Sequence, residues 1–368
     1  MKMIRTFHSI GHGGFCTEEF GDFTMVYDCG GRNLNVINYE IEHSFKKNQI
    51  IDALFISHFH RDHINGLEYL LKNYTVKRVF IPFLHDNQKI QVIVENAINI
   101  RSDSFTNNLI LNPVSTIQEN SKNGINTYVI YINSGEGDGN NLNKENLNIE
   151  SINSNISNLD SGTPITISSS TLTYNWIFIP FNFEYNIWAD KIAQALNTID
   201  VNKDNIVQKL QTKRSQIIEV YRNIHNGENN FNSNSLTLYS GMINNSLNIL
   251  RLNNLLFYPF NHYSHGHVGC LYLGDYNSKD NRSWLQLHTA YSVYWDYLST
   301  IQIPHHGSAN NYNEKLNSRS NIFSVMNVNR HSNHPHASTM KYILLNSGYP
   351  VIVTEDSCTR YIEQIEEL

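Results

Sequence analysis

The stretch Ser57-His58-Phe59-His60-Arg61-Asp62-His63 packs three imidazoles and a carboxylate into the six positions from His58 to His63. Neutral imidazoles and carboxylates are the usual ligands of a catalytic zinc-type ion. In an extended segment, residues two apart project to the same side, so His58 and His60 are placed to grip one ion. Where the chain turns, Asp62 and His63 can swing to a second. The run follows an apolar stretch and ends at the turn Asn65-Gly66. Surface histidines that cluster by accident seldom combine such a ligand set with that setting.

The pattern H-x-H-x-D-H resembles the metal-binding motif of the metallo-β-lactamase superfamily. Further blocks agree with it in order. Ser9-Ile10-Gly11-His12-Gly13-Gly14 resembles that family's first-strand turn, and Tyr27-Asp28-Cys29-Gly30 its second-strand end. Leu271-Tyr272-Leu273-Gly274-Asp275 resembles the strand whose aspartate bridges two metals. The resemblance implies an α/β chain folded as a four-layer αββα sandwich, with a one- or two-metal site at one edge. It implies His58, His60, Asp62, His63, Asp275 and His305 as ligands of two divalent ions, zinc or manganese. Asp28 would orient a ligand from behind.

Within the superfamily, the nuclease domain of ComEC competence proteins is the most similar subgroup. That similarity is carried by Asn234-Ser235-Leu236-Thr237-Leu238, Leu273-Gly274-Asp275 and Pro304-His305-His306-Gly307-Ser308, then by His334-Pro335-His336 and Thr354-Glu355-Asp356. The subgroup has Gln and Asp where this chain has His12 and Gly14. The superfamily's third histidine ligand has no counterpart here. Asn232 or Asn234 stands in its neighbourhood, and these, with Ser308, are expected near ligand or substrate.

Taken singly, these residues have alternative readings. Asp275 could be a turn aspartate after a strand, although its place after an apolar strand and a glycine favours a ligand. His305 and His306 are adjacent, so in an extended segment they would face opposite ways. His305 is then the expected ligand, and His306 contacts phosphate or packs beneath the site. His334 and His336, two apart, could both face the cleft, one as general acid or phosphate contact. Their alternative is a polar loop with one capping histidine. His12 beside glycines could line the site or pack in the core.

The implied activity is metal-dependent phosphodiester hydrolysis, with Asp62, His306, His334 and His336 as catalytic candidates and DNA as the expected substrate. The chain could act alone or with protein partners, as the effector of an antiviral assembly. The same ligands would serve a small-molecule hydrolase acting on a cyclic nucleotide, a phosphorylcholine ester or a lactone. A binding protein with a decayed metal site is disfavoured by the complete ligand run.

Around these residues the sequence places alternating strand-like and helix-like segments. Met3 to Ser9, Phe23 to Asp28, Asp52 to Ser57 and Lys77 to Phe83 read as strands. The second of these is stopped by Gly30 and Gly31, and the third lacks alternation, as in a strand buried on both faces. Gly66 to Lys72 and Lys89 to Ile100 read as helices. Ile187 to Asn223 reads as an amphipathic helix pair, scaffold or lid. Further strands are expected at Ser235 to Tyr239, Asn253 to Tyr258, Cys270 to Leu273, Thr300 to Ile303, Ile322 to Val328 and Pro350 to Thr354. The rhythm favours a layered sheet with helices outside. One domain over 1–368 is expected, with insertions at about 134–165, 184–230 and 240–265; the first, rich in Asn, Ser and Gly, reads as a mobile surface insertion rather than a linker.

Composition sets the outer bounds. The 368 residues are 40% hydrophobic and 11% aromatic, ample for a sizeable core. A net charge of -6, from 27 basic and 33 acidic side chains, gives polyanion binding no global support. A divalent pair would add about four positive charges locally. Cys16, Cys29, Cys270 and Cys358 form no C-x-x-C pair, which points to reduced thiols. The first residues lack an apolar signal core, and no run is long enough for a membrane span. A cytoplasmic protein without a membrane role is expected.

Overall fold

A computed structural model describes residues 2–99, 103–124, 126–136, 144–167, 176–183, 188–224, 235–242, 249–254, 262–265 and 267–367. Two sheets form its centre. Across the first, neighbours run His262–His265, Ile249–Asn254, Tyr361–Glu367, Lys2–Phe7, Gly13–Phe20, Phe23–Gly31, Ala53–Phe55, Arg78–Pro82, Tyr128–Gly135, Asn158–Asp160. Pairing is antiparallel up to Phe23–Gly31 and parallel beyond it. Across the second sheet they run Leu147–Asn148, Ile165–Ile167, Trp176–Phe183, Leu236–Met242, Gly269–Tyr272, Leu298–Gln302, Phe323–Asn327, Tyr349–Val353. Asn182 opposite Ser134 joins the two.

The period-two pleat divides each strand's side chains between two layers. In Trp176–Phe183, Trp176 and Phe178 enter the core between the sheets, with Phe7, Tyr27, Phe55 and Tyr272. Ile177, Ile179, Phe181 and Phe183 point the other way, onto Trp284 and Leu287 of the helix Asn281–Ala290 and Ile343 of Ala337–Leu345. On the outer face of the first sheet, Val26, Leu54, Ile56 and Val79 pack beneath the helices Leu34–Ser44, Leu67–Asn73 and Asp86–Asn99. The order is therefore helices, sheet, sheet, helices: the expected four-layer αββα sandwich.

Most expected strands and helices occur within a few residues of their expected bounds. The helix pair forms as Ala189–Asn197 and Ile206–Ile224. Ile192, Leu196, Leu210, Ile217 and Tyr221 bury its apolar face in the cluster that holds Ile90 and Ile93 of Asp86–Asn99, as a scaffold pair would. The segment expected as a surface insertion at about 134–165 carries short strands. Over its described part, Leu147–Asn148 and Asn158–Asp160 pair into the sheets, and Ile149 and Ile152 are fully buried. The two isoleucines belong to the short turn Ile149–Ser151 and its cap, so a few apolar residues among asparagines suffice to pin the segment to the sheets. Asn253 to Tyr258 forms a strand only as part of Ile249–Asn254, and its remainder lies outside the described residues. No helix among the described residues is long and apolar enough to cross a membrane.

Candidate metal centre

The strand Ala53–Phe55 runs into Ile56 and Ser57, and the ligand run leaves its carboxyl end. His60 precedes the short helix Arg61–Ile64, which carries Asp62 in its first turn. This turn lies against the glycines of the neighbouring strand. A Cβ on Gly30 would stand 2.5 Å from the His63 carbonyl carbon and 2.5 Å from the Ile64 nitrogen. Side-chain-free backbone there lets the helix approach closely.

Asp28 lies within the adjacent strand Phe23–Gly31 with a positive φ of 58°. Its Oδ1 accepts the Ser57 backbone N–H at 2.6 Å. Its Oδ2 accepts the Ser57 hydroxyl and the His63 Nδ1–H, each at 2.7 Å. That bond fixes the His63 tautomer and turns Nε2 toward Asp275, 3.4 Å from its Oδ1. His58 is arranged in parallel fashion: Nδ1 meets the hydroxyls of Ser57 at 2.9 Å and Ser235 at 3.3 Å. Its Nε2 lies 3.7 Å from Asp275 Oδ2.

Asp275 arrives from the second sheet, past Gly274, and donates its backbone N–H to Ser235 Oγ at 3.1 Å. The Gly274 carbonyl accepts the His305 N–H at 3.1 Å, which docks the next loop on this turn. That loop is not extended. His305 (φ 48°) and His306 (φ 57°) are both left-handed, so the argument for opposite faces does not hold. His306 Nε2 lies 3.7 Å from Asp62 Oδ2, and His305 Nδ1 lies 3.7 Å from Asp275 Oδ2. Two ligand groups result, His58–His63–Asp275 and Asp62–His63–His306. The second contains His306, whereas the sequence favoured His305.

The donor set fits a metal ion. His58 Nε2 and His63 Nε2 are buried and have no hydrogen-bond partner among the described residues. Buried imidazole nitrogens of this kind are normally paired. Their separations from Asp275, 3.4 and 3.7 Å, are at or somewhat above the roughly 3.3 Å between neighbouring ligands on a tetrahedral ion with bonds of about 2.0–2.1 Å. The electrostatics agree. Burial and the neighbouring His63 and His60 hold His58 well below its ordinary range, so it is neutral as a ligand must be. Burial opposes charge on His63, but Asp275 and Asp28 outweigh it and push that ring upward, which marks a site that attracts positive charge.

Other candidates lie around this core. His12 exchanges bonds with Asn329, donating its N–H to Oδ1 and accepting the Asn329 N–H at Nδ1, both at 2.7 Å. Its ring centroid is 4.5 Å from that of His306, so His12 lines the site. His334 packs its ring 5.8 Å from His12 and 6.1 Å from His305. Burial, then His336, His306 and His305, lowers its pKa to about 4. His336 Nδ1 accepts the Ala309 N–H at 2.8 Å, which keeps that ring's own proton at Nε2. Ser308 closes the His305 turn with its backbone N–H, and its Oγ accepts from Asn310 N–H at 3.3 Å. Asn232 and Asn234 lie outside the described residues.

His60 is separate from both ligand groups. Its Nε2 donates to Glu95 Oε2 at 3.1 Å. Sequence reading missed Glu95 and Ser235. The available signal for Glu95 was a carboxylate on the apolar stripe of the helix Asp86–Asn99.

A family model described as "Anti-Pycsar protein Apyc1" matches residues 16–152, which contain the ligand run and Glu95. The chain is similar to Ribonuclease J of Mycoplasma genitalium, 29% identical over 99 residues, covering 25% of this chain. The match spans 16% of that protein's own length. A metallo-β-lactamase fold protein from Bacillus subtilis, YhfI, aligns over 96% of this chain and 98% of its own, at 8% identity and a TM-score of 0.41. The fold conclusion rests on the architecture itself: with four αββα layers, a His/Asp run at a strand end of the first sheet and Asp275 brought to it from the second, the chain has the metallo-β-lactamase fold.

Proposed function

We propose that this protein is a metal-dependent phosphodiester hydrolase. The observation that carries the reading is the pair of buried nitrogens, His58 Nε2 and His63 Nε2, that converge on Asp275 and have no hydrogen-bond partner among the described residues. His58, His63 and Asp275 would hold one ion and Asp62, His63 and His306 a second, with His60 joining the first ion's ligands on the family pattern and His305 nearby. Bound divalent zinc or manganese there would supply Lewis-acid charge and lower the pKa of water toward neutrality.

The chain's own groups do the rest. Asp28 and Ser57 hold His63 and His58 in place before substrate arrives, which avoids reorganisation during reaction. His334, with its pKa lowered to about 4, is neutral at pH 7 and contacts a phosphate oxygen as a hydrogen-bond donor rather than as a cation. His336, whose proton the Ala309 N–H keeps at Nε2, would be the group that donates to the departing oxygen. His12 completes the imidazole-lined wall.

For substrate, we favour a nucleic acid strand, with DNA first. The His305-His306 and His334-Pro335-His336 blocks support this through their likeness to the ComEC nuclease domain, as does the similarity to Ribonuclease J. A protein partner in an antiviral assembly is part of the same proposal. A cyclic nucleotide is the second reading, favoured by the anti-Pycsar family model over the ligand run. Purified protein with zinc, manganese or magnesium would be given linear and circular plasmid DNA, RNA and cyclic nucleotides. Cutting of DNA supports the first reading. Turnover of cyclic nucleotides alone replaces it with the second, and turnover of none of them contradicts both.

A further inference from the structure

The helix Asp86–Asn99 touches the ligand run in a way that the metal chemistry above does not use. Glu95 is 3% exposed, and its Oε2 accepts from His60 Nε2 at 3.1 Å. Its Oε1 accepts the Tyr221 hydroxyl at 2.9 Å and the Gln91 amide at 2.7 Å. Tyr221 is 1% exposed and comes from Ile206–Ile224, the second helix of the scaffold pair. The next residue, Asn96, grips the backbone on both sides of His60: its amide donates to the Phe59 carbonyl at 2.9 Å, and its Oδ1 accepts the Arg61 N–H at 3.3 Å.

We propose that Glu95 is the positioning residue for His60, with Tyr221 holding Glu95 in turn, so that the helix pair's place in the fold is to set one metal ligand. A carboxylate only accepts hydrogen bonds, so the His60 proton sits at Nε2 and the lone pair at Nδ1. Nδ1 is then the atom presented to the ion. A buried carboxylate also raises the basicity of the imidazole it holds. Tyr221 and Gln91 occupy the other carboxylate oxygen, which leaves Glu95 no second orientation of equal hydrogen bonding. The inference rests on the metal reading above, because a histidine that binds nothing needs no fixed tautomer.

The variant that separates positioning from packing is Glu95→Gln. It preserves size, but its amide can donate to His60 Nε2 and move the ring proton to Nδ1, the atom that must bind. The readout is zinc affinity by competition with a chromophoric chelator, with the melting temperature of metal-free protein taken in parallel. The expected result is zinc binding weakened about 10- to 100-fold, with the metal-free melting temperature shifted by less than about 3 °C. Wild type that binds zinc while Glu95→Gln binds within about twofold of it overturns the role of Glu95 and leaves the metal reading standing. Wild type that binds no divalent ion overturns both. If Glu95→Gln does not fold, Tyr221→Phe carries the test: several-fold weaker zinc binding supports the proposal, and unchanged binding overturns it.

Discussion

Asp28 Oδ2 lies 2.7 Å from His63 Nδ1, and the same carboxylate takes both the backbone N–H and the hydroxyl of Ser57. One side chain thus orients His63 directly and His58 through the Ser57 hydroxyl, 2.9 Å from His58 Nδ1. Asparagine tolerates the left-handed backbone of this position, so Asp28→Asn leaves the turn intact. Its amide can present a donor where His63 needs an acceptor. Metal affinity should fall about 10- to 100-fold, measured by chelator competition; unchanged affinity would remove Asp28 from the account.

Gly14 supports the same pair from the opposite side. A Cβ there would stand 2.6 Å from Asp28 Oδ2 and 2.8 Å from His63 Nδ1. Gly14→Ala should therefore lower metal content in elemental analysis and destabilise the fold by about 1–3 kcal/mol, the usual cost of overpacking. A variant with full metal content and wild-type stability would show that this contact can relax without consequence.

How much of this was legible in the sequence depends on how the residues lie along the chain. The His58–His63 ligands are contiguous at the end of an apolar strand, so one glance at residue types finds them. Asp275 was reachable because a glycine and an apolar strand precede it. Glu95 was missed because a carboxylate on a helix's apolar stripe names no role until its partners, 35 residues away at His60 and 126 away at Tyr221, are in place. How His305 and His306 share the site was not legible, because two successive left-handed non-glycine residues leave no mark in sequence pattern. The strand Tyr361–Glu367 was unforeseen for a similar reason: its acidic residues suggest an exposed tail, yet Glu363 is fully buried.

Glu363 is buried because Arg5 is. Arg5 stands opposite Glu18 on one neighbouring strand and Glu363 on the other. It donates to Glu18 Oε1 at 2.7 Å and to Glu363 Oε2 at 2.6 Å, with all three side chains fully buried. Tyr272 and Ser240 from the second sheet donate to Glu18, and Thr300 donates to Glu363. Removing the cation leaves two carboxylates facing each other in the interior between the sheets. Arg5→Met should cost about 3–5 kcal/mol, since breaking a buried ion network leaves uncompensated charge. Denaturant unfolding checks this; a loss below about 1 kcal/mol, the scale of an exposed pair, would contradict it.

Acid should loosen the corner where Leu34–Ser44 meets the start of the last strand. Burial lowers the His8 pKa despite Glu40 nearby, so in the range just below about 6.5 the unfolded chain binds a proton that the folded chain refuses. Burial raises the Glu40 carboxyl, but His8 and Arg360 outweigh it and bring the pKa below its ordinary value. That contribution is present at neutral pH and is lost as pH falls through the depressed value. Both signs agree: stability declines below about pH 6.5 and further at lower pH. His8→Gln should flatten the first part of the decline in thermal melts. An unchanged pH profile in that variant would assign the decline to other groups.

The central claim, a metal-dependent phosphodiester hydrolase built on the His58–His63 run, is tested most directly with bis(p-nitrophenyl) phosphate, a phosphodiester that makes no demand on substrate recognition. Purified protein would be assayed after chelation and after return of zinc or manganese, beside the double variant Asp62→Ala, His63→Ala. The account predicts hydrolysis that disappears on chelation, returns with metal and stays at background in the double variant. Hydrolysis that survives chelation or the double substitution, or metal-loaded wild type that leaves the diester intact, would contradict it.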